Sequence, residues 1–424
     1  MKVAFYCDFN KNMTNKIEDL EEGNIGIGGT QYLYLLIVSN LQKKNIDKEN
    51  TYVLLTNCEI NVKKDIVTYK NVGSINEAYT WCENNKYEYL VIRANKITSV
   101  NENNLKNGKT KIILWAHNYV DKSVEKILYE NENIVKLICV SKQQYINLRS
   151  SIAYSKMTYI NNCIGSYIDS ARIQYKKNNN IIYYIGAVEP NKGIHELIKI
   201  FSSINKKNPN TRLMIIGGIG KLRAKEIELG KMQITYKEYE KKIIALINKR
   251  GLNARIEFKG VLDAKQIRNI IKDNGGIGVV SVSRPLMGET FCMTALELES
   301  YGIPVIARKR CDGLSTSICN EYSGFLEKKD SGIIKDVDLL IKNEHIYREM
   351  SCNAIKYAKT FSVTSTIEKW CKLFENLQAV PTEYKESLFV KFEKMINKSV
   401  ITPREFFVRI QTKVLNMRYK GWMK

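Results

Sequence analysis

The sequence predicts an α/β protein with two consecutive parallel-sheet domains. Short apolar runs of strand length alternate with helical stretches, one polar segment at residues 176–180 interrupts the alternation, and the same pattern then restarts. Strands that alternate with helices are typical of a parallel sheet with helices on both faces. A chain of 424 residues is also long enough for two or three domains with substantial cores.

The first domain is predicted over residues 1–170. Its helix at residues 32–41 places Leu33, Leu36, Ile37 and Leu41 on one face. Its strands are expected at residues 3–6, 51–55, 89–92, 111–115 and 136–140. Because ligands of open parallel sheets bind at the carboxyl ends of the strands, functional residues are expected directly after these runs.

The second domain is predicted over residues 181–375, after the polar linker. Its first strand precedes a glycine- and proline-containing turn and a helix at about residues 195–204. The strands are expected at residues 181–185, 212–216, 255–258, 277–282 and 304–307. A ligand is expected in the cleft between this domain and the first.

A third region, residues 381–424, is predicted to be a basic amphipathic helical tail. It has ten lysine and arginine residues against four glutamates, a net charge of +6, and apolar residues at helical spacing. Such a tail suits an anionic membrane surface, but amphipathicity equally suits a helix packed on the protein body. The sequence leaves both interpretations open.

The whole chain carries a formal net charge of +22, which favours anionic partners. The sequence shows no zinc-finger spacing, RNP-like aromatic motif or early basic helix, which argues against a nucleic-acid-binding protein. Ten scattered cysteines without a CxxC pair argue against a zinc site or a disulfide framework. With no apolar run of the roughly 20 residues that a membrane span requires, a cytoplasmic protein is expected.

The strongest motif is PLMGETFCMTALE at residues 285–297, followed by GIPVIA at residues 302–307. Helical rise places the carboxylates of Glu289 and Glu297 on the order of 10 Å apart. That separation is too large for a glycosidase pair but suits the two ends of one elongated ligand. The N–H groups near Thr290 would open the helix and form an anion site. A lone E-x7-E pair is more often an amphipathic helix with a solvated glutamate.

With these motifs, the chain resembles the retaining nucleotide-sugar glycosyltransferases of family 4, which have the GT-B fold. The resemblance covers roughly residues 1–375 and includes further motifs in the family's order. These are GIGGT at 26–30, AHN at 116–118, CVSK at 139–142, YIGAVEPNKG at 184–193, LMIIGG at 213–218, IEFKG at 256–260 and YSGFL at 322–326. The resemblance implies two Rossmann-like domains that face each other across a cleft.

The resemblance also implies roles for individual residues. Lys192 would bind the donor diphosphate, Glu289 the sugar hydroxyls and Glu297 the ribose hydroxyls, and His117 would face the donor sugar. The predicted catalytic set is Glu289, His117 and Lys192, and the predicted donor-binding set is Gly28, Gly29, Gly186, Lys192, Arg284, Thr290, Phe291, Cys292 and Glu297.

Three positions depart from the family pattern: Ala187, Cys292 and Thr290, which like Cys292 stands where the family has a glycine. Ala187 stands where the family has an arginine, and Arg284 is a candidate replacement for that cation. Cys292 replaces a family glycine and is expected to narrow the donor pocket. His195 and His345 are predicted to be structural residues in helices. The DVD sequence at residues 336–338 imitates a metal-binding motif, but its helical pattern predicts a solvent-exposed face.

The predicted function is retaining transfer of a sugar from a UDP- or GDP-sugar to a glycan or lipid-linked glycan in surface polysaccharide synthesis. The resemblance implies no metal or other cofactor for catalysis. The expected location is the cytoplasm or the cytoplasmic face of the membrane. The alternatives are a catalytically inactive GT-B homologue that acts as a scaffold, a nucleic-acid-binding protein and an NAD-type dehydrogenase. The last is disfavoured because Gln31 breaks the G-x-G-x-x-G pattern.

Overall fold

The computed structural model describes residues 1–10, 17–44, 50–63, 65–168, 180–218, 237–283, 289–310 and 312–378. The described residues form two compact units. The first contains Met1–Tyr167 together with the described residues from Phe361 onward, and the second is Ile168–Thr360.

Thirteen strands are assigned within the described residues, and the sheets are parallel throughout. Strands β1–β7 belong to the first unit and β8–β13 to the second. Their bounds are β1 Lys2–Cys7, β2 Thr51–Thr56, β3 Tyr69–Asn71, β4 Tyr89–Arg93, β5 Lys111–Ala116, β6 Ile134–Cys139, β7 Met157–Tyr159, β8 Ile181–Ile185, β9 Arg212–Ile216, β10 Ile256–Gly260, β11 Ile277–Val280, β12 Val305–Arg308 and β13 Gly324–Glu327.

The helices alternate with these strands, as expected for βα units. They are α1 Gly29–Lys44, α2 Ile75–Asn84, α3 Glu102–Asn107, α4 Lys122–Glu130, α5 Lys142–Asn147, α6 Ile194–Lys207, α7 Lys237–Lys249, α8 Ala264–Asn274, α9 Met293–Ser300, α10 Leu314–Ser317, α11 Asp330–Lys342, α12 Glu344–Lys359 and α13 Val363–Gln378. No helix in the described ranges is both long and apolar enough to cross a bilayer.

Both sheets reverse their strand order next to the first strand of the unit. The orders are β3-β2-β1-β4-β5-β6-β7 and β10-β9-β8-β11-β12-β13. In such sheets the loops diverge where the order reverses, which opens a crevice at the carboxyl ends of the strands. The loops after β1, β4 and β5, and those after β8, β11 and β12, therefore hold the candidate site residues.

Two parallel-sheet, Rossmann-like units are confirmed, and the strands 181–185 and 212–216 coincide with the structure. Strands β3, β7 and β13 had no counterpart among the predicted strands. The tail at residues 381–424 lies outside the described residues.

Helix α13 differs from its predicted place in a domain that extended to residue 375. The structure groups it with the first unit because its aromatic side chains pack against the first sheet. The Trp370 ring lies 5.5 Å from the Phe5 ring and 5.1 Å from the Trp115 ring, and Trp370 and Phe374 are fully buried. The sequence pattern of a helix does not indicate which sheet that helix covers.

Candidate active site

An ion pair between Lys192 and Glu289 marks the carboxyl end of the second sheet. The Lys192 Nζ lies 2.8 Å from the Glu289 Oε1. Lys192 ends a short 3-10 turn, Pro190–Lys192, that follows β8, and Glu289 lies between β11 and α9. Burial alone would lower the pKa of Lys192, but the Glu289 carboxylate outweighs it and raises that pKa. Lys192 therefore stays a cation, and both side chains remain partly exposed to solvent.

The turn that carries Lys192 depends on a glycine. Gly193 has a φ of 77°, and a Cβ there would lie 2.8 Å from the Ser283 Cα. Only a residue without a side chain fits this left-handed conformation beside the backbone after β11. The glycine thus brings the loop after β8 against the loop after β11, which allows Lys192 to reach Glu289.

Gly186 is the first residue after β8, and its role is also one of backbone geometry. Its φ is 151°, and its N–H donates to the Ile216 carbonyl at 2.9 Å. A Cβ on Gly217 would lie 2.0 Å from the Gly186 carbonyl oxygen, so the loops after β8 and β9 touch backbone to backbone. The Ala187 carbonyl accepts a hydrogen bond from the Tyr184 hydroxyl at 3.2 Å.

The loop that carries Glu289 is anchored by a buried pair, Arg310 and Asp312. The Glu289 N–H donates to the Asp312 Oδ2 at 3.1 Å, and the Arg310 Nε lies 3.0 Å from the same oxygen. Arg310 also donates to the Ser283 carbonyl at 2.8 Å and to Ser281. Burial raises the pKa of Asp312, although Arg310 opposes that shift.

Sequence reasoning missed this pair. Its only signal was a charged R-x-D directly after a predicted strand, which is common on surfaces. In the structure Arg310 and Asp312 connect the loops after β11 and β12 and hold Glu289 in position.

The start of α9 is more buried than the sequence indicated. Phe291 and Cys292 are 6% and 5% exposed, and the Cys292 side chain belongs to the core beside Tyr183 and Ala295. The Cys292 side chain is therefore part of the core at the start of α9, and its effect on the donor pocket stays a prediction. Its N–H donates to the Ser317 Oγ at 2.9 Å, whereas Thr290 remains partly exposed.

Glu297 and Glu299 occupy the same helix, but their carboxylates differ. Glu299 is fully buried and accepts a hydrogen bond from the Ser323 Oγ at 2.7 Å. Glu297 is partly buried and makes no side-chain hydrogen bond or ion pair with the described residues. Burial raises the pKa of Glu297 to about 7. Of the two, Glu297 is the carboxylate available to a ligand.

The predicted glycine loop of the first unit leads into α1. Gly26 has a φ of 82°, and α1 begins at Gly29. A Cβ on Gly28 would clash only with the flexible Gln31 side chain, and a Cβ on Gly29 would meet nothing within 4 Å. A side chain at position 29 would therefore clash with no described protein atom.

His117 follows β5 at the carboxyl end of the first sheet. Its ring lies 4.3 Å from the Trp115 ring and 5.8 Å from the Tyr34 ring, and its Nε2 is buried. Burial, with the nearby Arg93 cation, lowers the pKa of His117 to about 3. The imidazole is therefore neutral at physiological pH.

Three further expectations concern individual residues. Arg284 lies outside the described residues. His195 and His345 lie in α6 and α12, and the His195 Nδ1 is 3.0 Å from the Tyr239 hydroxyl. The interpretation of residues 336–338 as a solvent-exposed face is wrong for Asp336, which is 7% exposed because that face of α11 packs against the second sheet. Burial, together with Glu327, raises its pKa to about 6.

No cluster of three or more His, Cys, Asp or Glu side chains in the described part of the chain could hold a metal ion. The structure brings Lys192, Glu289 and the start of α9 together in the second unit. His117 and the glycine loop lie in the first unit.

Comparison with known proteins places the second unit in a family. Residues 168–360 match the family model "Glycosyl transferases group 1". A D-inositol 3-phosphate glycosyltransferase of Corynebacterium glutamicum is 24% identical over 203 residues, which are 47% of this chain and 44% of that protein. The chain thus covers just under half the length of the curated relatives it matches.

Solved structures match over both units. The crystal structure of Anabaena Alr3699/HepE in complex with UDP and glucose has a TM-score of 0.65 at 13% identity, over 89% of this chain and 100% of that one. A lipopolysaccharide outer core galactosyltransferase, WaaB, has a TM-score of 0.61 at 15% identity, also over 89% and 100%. Both units therefore share the fold of GT-B structures, and residues 168–360 form a glycosyl transferases group 1 domain.

Proposed function

We propose that this chain is a retaining glycosyltransferase that uses a nucleoside-diphosphate sugar as its donor. The observation that carries the proposal is the Lys192–Glu289 pair at the carboxyl end of the second sheet. It lies in the domain that matches the glycosyl transferases group 1 model. Helix α9, which follows the loop of Glu289, carries Glu297, a carboxylate without an ion-pair partner among the described residues.

The chemistry requires positive charge where the diphosphate leaves. Lys192 remains protonated beside Glu289, so it supplies that charge to the departing diphosphate oxygens. In the structure Glu289 is its counter-ion, and a bound diphosphate would take over that role. The Glu289 carboxylate would then accept hydrogen bonds from donor-sugar hydroxyls.

Glu297 suits the other end of the donor. A carboxylate accepts two hydrogen bonds side by side, which matches the adjacent hydroxyls of a ribose. Because its pKa is about 7, part of the protein carries Glu297 as the neutral acid at neutral pH, and the ionised form would be the better acceptor. In the sequence, Thr290 and Phe291 lie between Glu289 and Glu297.

In the first unit, a neutral His117 fits a hydrogen-bonding role toward the donor sugar rather than that of a cation. Gly28 and Gly29 at the start of α1 would allow close approach of a ligand to backbone N–H groups. No general base is needed if the departing phosphate accepts the proton of the acceptor hydroxyl, and no metal ion is invoked.

The proposal extends to the acceptor and to the cellular location of the protein. We infer a glycan or lipid-linked glycan acceptor in surface polysaccharide synthesis, and a cytoplasmic protein whose tail at residues 381–424 contacts an anionic membrane. WaaB, with which the chain shares the fold, is a lipopolysaccharide outer core galactosyltransferase. The tail's net charge of +6 supports the membrane contact.

The test is a donor panel. Release of nucleoside diphosphate is measured with UDP- and GDP-sugars in the presence of EDTA for the wild type, Lys192→Ala and Glu289→Ala. Exposed residues of the same unit, Lys199→Ala on α6 and Glu349→Ala on α12, are the matched controls. We expect release with at least one donor, near-complete loss in the two site variants and wild-type rates in the controls.

Two results would contradict the proposal. Full activity in both site variants would reject the assigned residues. Binding of a nucleotide sugar without any turnover would instead favour the inactive homologue, for which the missing cation at Ala187 is the structural argument. Vesicle co-sedimentation of the full chain and a 1–380 truncation tests the tail, and equal sedimentation would remove it as the membrane contact.

A further inference from the structure

The first unit contains an arginine whose charge has no partner among the described residues. Arg93 is the last residue of β4, between β1 and β5, and its Nε is buried without a hydrogen bond. Its guanidinium forms no ion pair or hydrogen bond with the described residues. A guanidinium has five donors and is always charged, so leaving it partly buried and unpaired is costly. Arg310, by contrast, binds Asp312 and two serines.

Two carboxylates in the neighbourhood of Arg93, those of Asp8 and Asp121, have other partners. Asp8, after β1, accepts from the Tyr6 hydroxyl at 2.7 Å and pairs with Lys96. Asp121 caps α4 by accepting from the Val124 N–H at 3.1 Å. Neither of these two carboxylates therefore forms an ion pair with Arg93.

The surroundings of Arg93 are polar and lie at the ends of adjacent strands. Arg93, His117 and Asn118 line one small cavity, whose lining also includes Asp121, the residue that caps α4. The positive charge of Arg93 acts on the His117 imidazole and on the buried Tyr34 hydroxyl. The Tyr34 hydroxyl and the Trp115 Nε1 are buried without a hydrogen-bond partner among the described residues. Several polar groups thus accompany the unpaired cation.

We propose that Arg93 is the centre of a subsite in the first unit that binds an oxyanionic group of the acceptor, a phosphate ester or a sugar carboxylate. A planar guanidinium donates two parallel hydrogen bonds to either oxyanion. This proposal rests on the proposed function, because it names the chemical class of the acceptor.

The acceptor class can be tested without any donor or turnover. Isothermal titration calorimetry measures binding of glucose 6-phosphate, glucuronate and glucose to the full chain. Arg93→Gln removes the charge, Lys192→Ala removes the cation of the second unit, and Arg149→Gln changes an exposed arginine of the first unit as the matched control. Melting temperatures establish that each variant is folded.

We expect the wild type to bind at least one of the two anionic sugars more tightly than glucose, and the preferred anion identifies the source of the oxyanion. Arg93→Gln should weaken that binding roughly 10- to 100-fold, since charge-assisted hydrogen bonds are lost. Lys192→Ala and Arg149→Gln should bind like the wild type. Arg93→Lys, which keeps the charge but loses the planar fork, should have intermediate affinity.

Three results would overturn the subsite. The wild type could bind neither anion more tightly than glucose, Arg93→Gln could bind as the wild type does, or Lys192→Ala could lose as much affinity as Arg93→Gln. If Arg93→Gln does not fold, unchanged binding by Arg93→Lys overturns the proposal. None of these results depends on nucleoside-diphosphate release, so they are distinguishable from a failure of the proposed donor chemistry.

Discussion

Both units have a parallel sheet with a crevice at the carboxyl ends of its strands. The cationic side chains near the two crevices differ in whether they have a carboxylate partner. In the second unit the two cations of the candidate site each have a carboxylate: Lys192 pairs with Glu289, and Arg310 with Asp312. In the first unit Arg93 has no described partner, and His117 is neutral. A paired site can exchange its internal counter-ion for a ligand, whereas an unpaired cation gains a counter-ion only when the ligand binds.

The largest expected effect is on catalysis in the second unit. Lys192→Ala should lower kcat/KM for the donor by roughly 10²- to 10³-fold, because the departing diphosphate loses its stabilising cation. Lys199→Ala, on the exposed face of α6, is the matched control and should keep the wild-type value. Steady-state kinetics measures both, and a loss below roughly threefold in Lys192→Ala would contradict the assigned role.

The next prediction compares two glycines. The turn after β8 requires a glycine at position 193, whereas no described protein atom excludes a side chain at position 29. Gly193→Ala should lower the free energy of unfolding by about 2 kcal/mol, because a Cβ is strained at a φ of 77° and meets Ser283. Gly29→Ala should stay within about 0.5 kcal/mol of the wild type. Chemical denaturation measures both variants. Equal stabilities would show that the turn after β8 does not depend on its glycine.

Glu297 should make the protein less stable as the pH rises. Its folded pKa of about 7 lies above the ordinary value of 4.5, so the unfolded chain loses this proton first. The stability contribution is complete below pH 4.5 and is lost between pH 4.5 and 7, by about 2 kcal/mol. Unfolding measured across this range should show that loss in the wild type but not in Glu297→Gln. If the free energy of unfolding changed with pH in the same way in the wild type and in Glu297→Gln, this prediction would be contradicted. Glu349→Gln, which changes an exposed glutamate of the same unit, is the control.

His117 should have a smaller effect of the opposite sign. Its folded pKa of about 3 lies below the ordinary 6.5, so the unfolded chain binds a proton first as the pH falls. Between about pH 6.5 and pH 5 the wild type should lose about 1 to 2 kcal/mol that His117→Gln does not lose. His345→Gln on α12 is the control. An identical loss in His117→Gln would show that this imidazole is accessible to protons in the folded protein.

The sequence predicted the sheets better than it predicted the packing on them. Strands such as β8 and β9 are continuous apolar runs, which periodicity identifies, and the bounds of both coincide with the structure. The partner of α13 depends on contacts between Trp370 and Phe5, which are separated by most of the chain. Local patterns contain no information about such long-range contacts.

The same contrast holds for the candidate site, where sequence motifs identified residues but not the contacts between them. Motifs named Glu289 and Lys192, but nothing in them indicated that the two side chains meet, because the contact requires the close approach of Gly193 and Ser283. Asp336 was misplaced because burial is set by the neighbouring elements. Arg93 was not identified because the absence of a partner is a property of three-dimensional structure.

The central claim is that the second unit binds a nucleoside diphosphate through Lys192. Isothermal titration calorimetry with UDP and GDP tests it most directly, using the full-length wild type, Lys192→Ala and Lys199→Ala. We predict that at least one nucleotide binds the wild type and Lys199→Ala equally and binds Lys192→Ala at least roughly tenfold more weakly. Absence of binding to the wild type, or equal affinity for all three proteins, would contradict it.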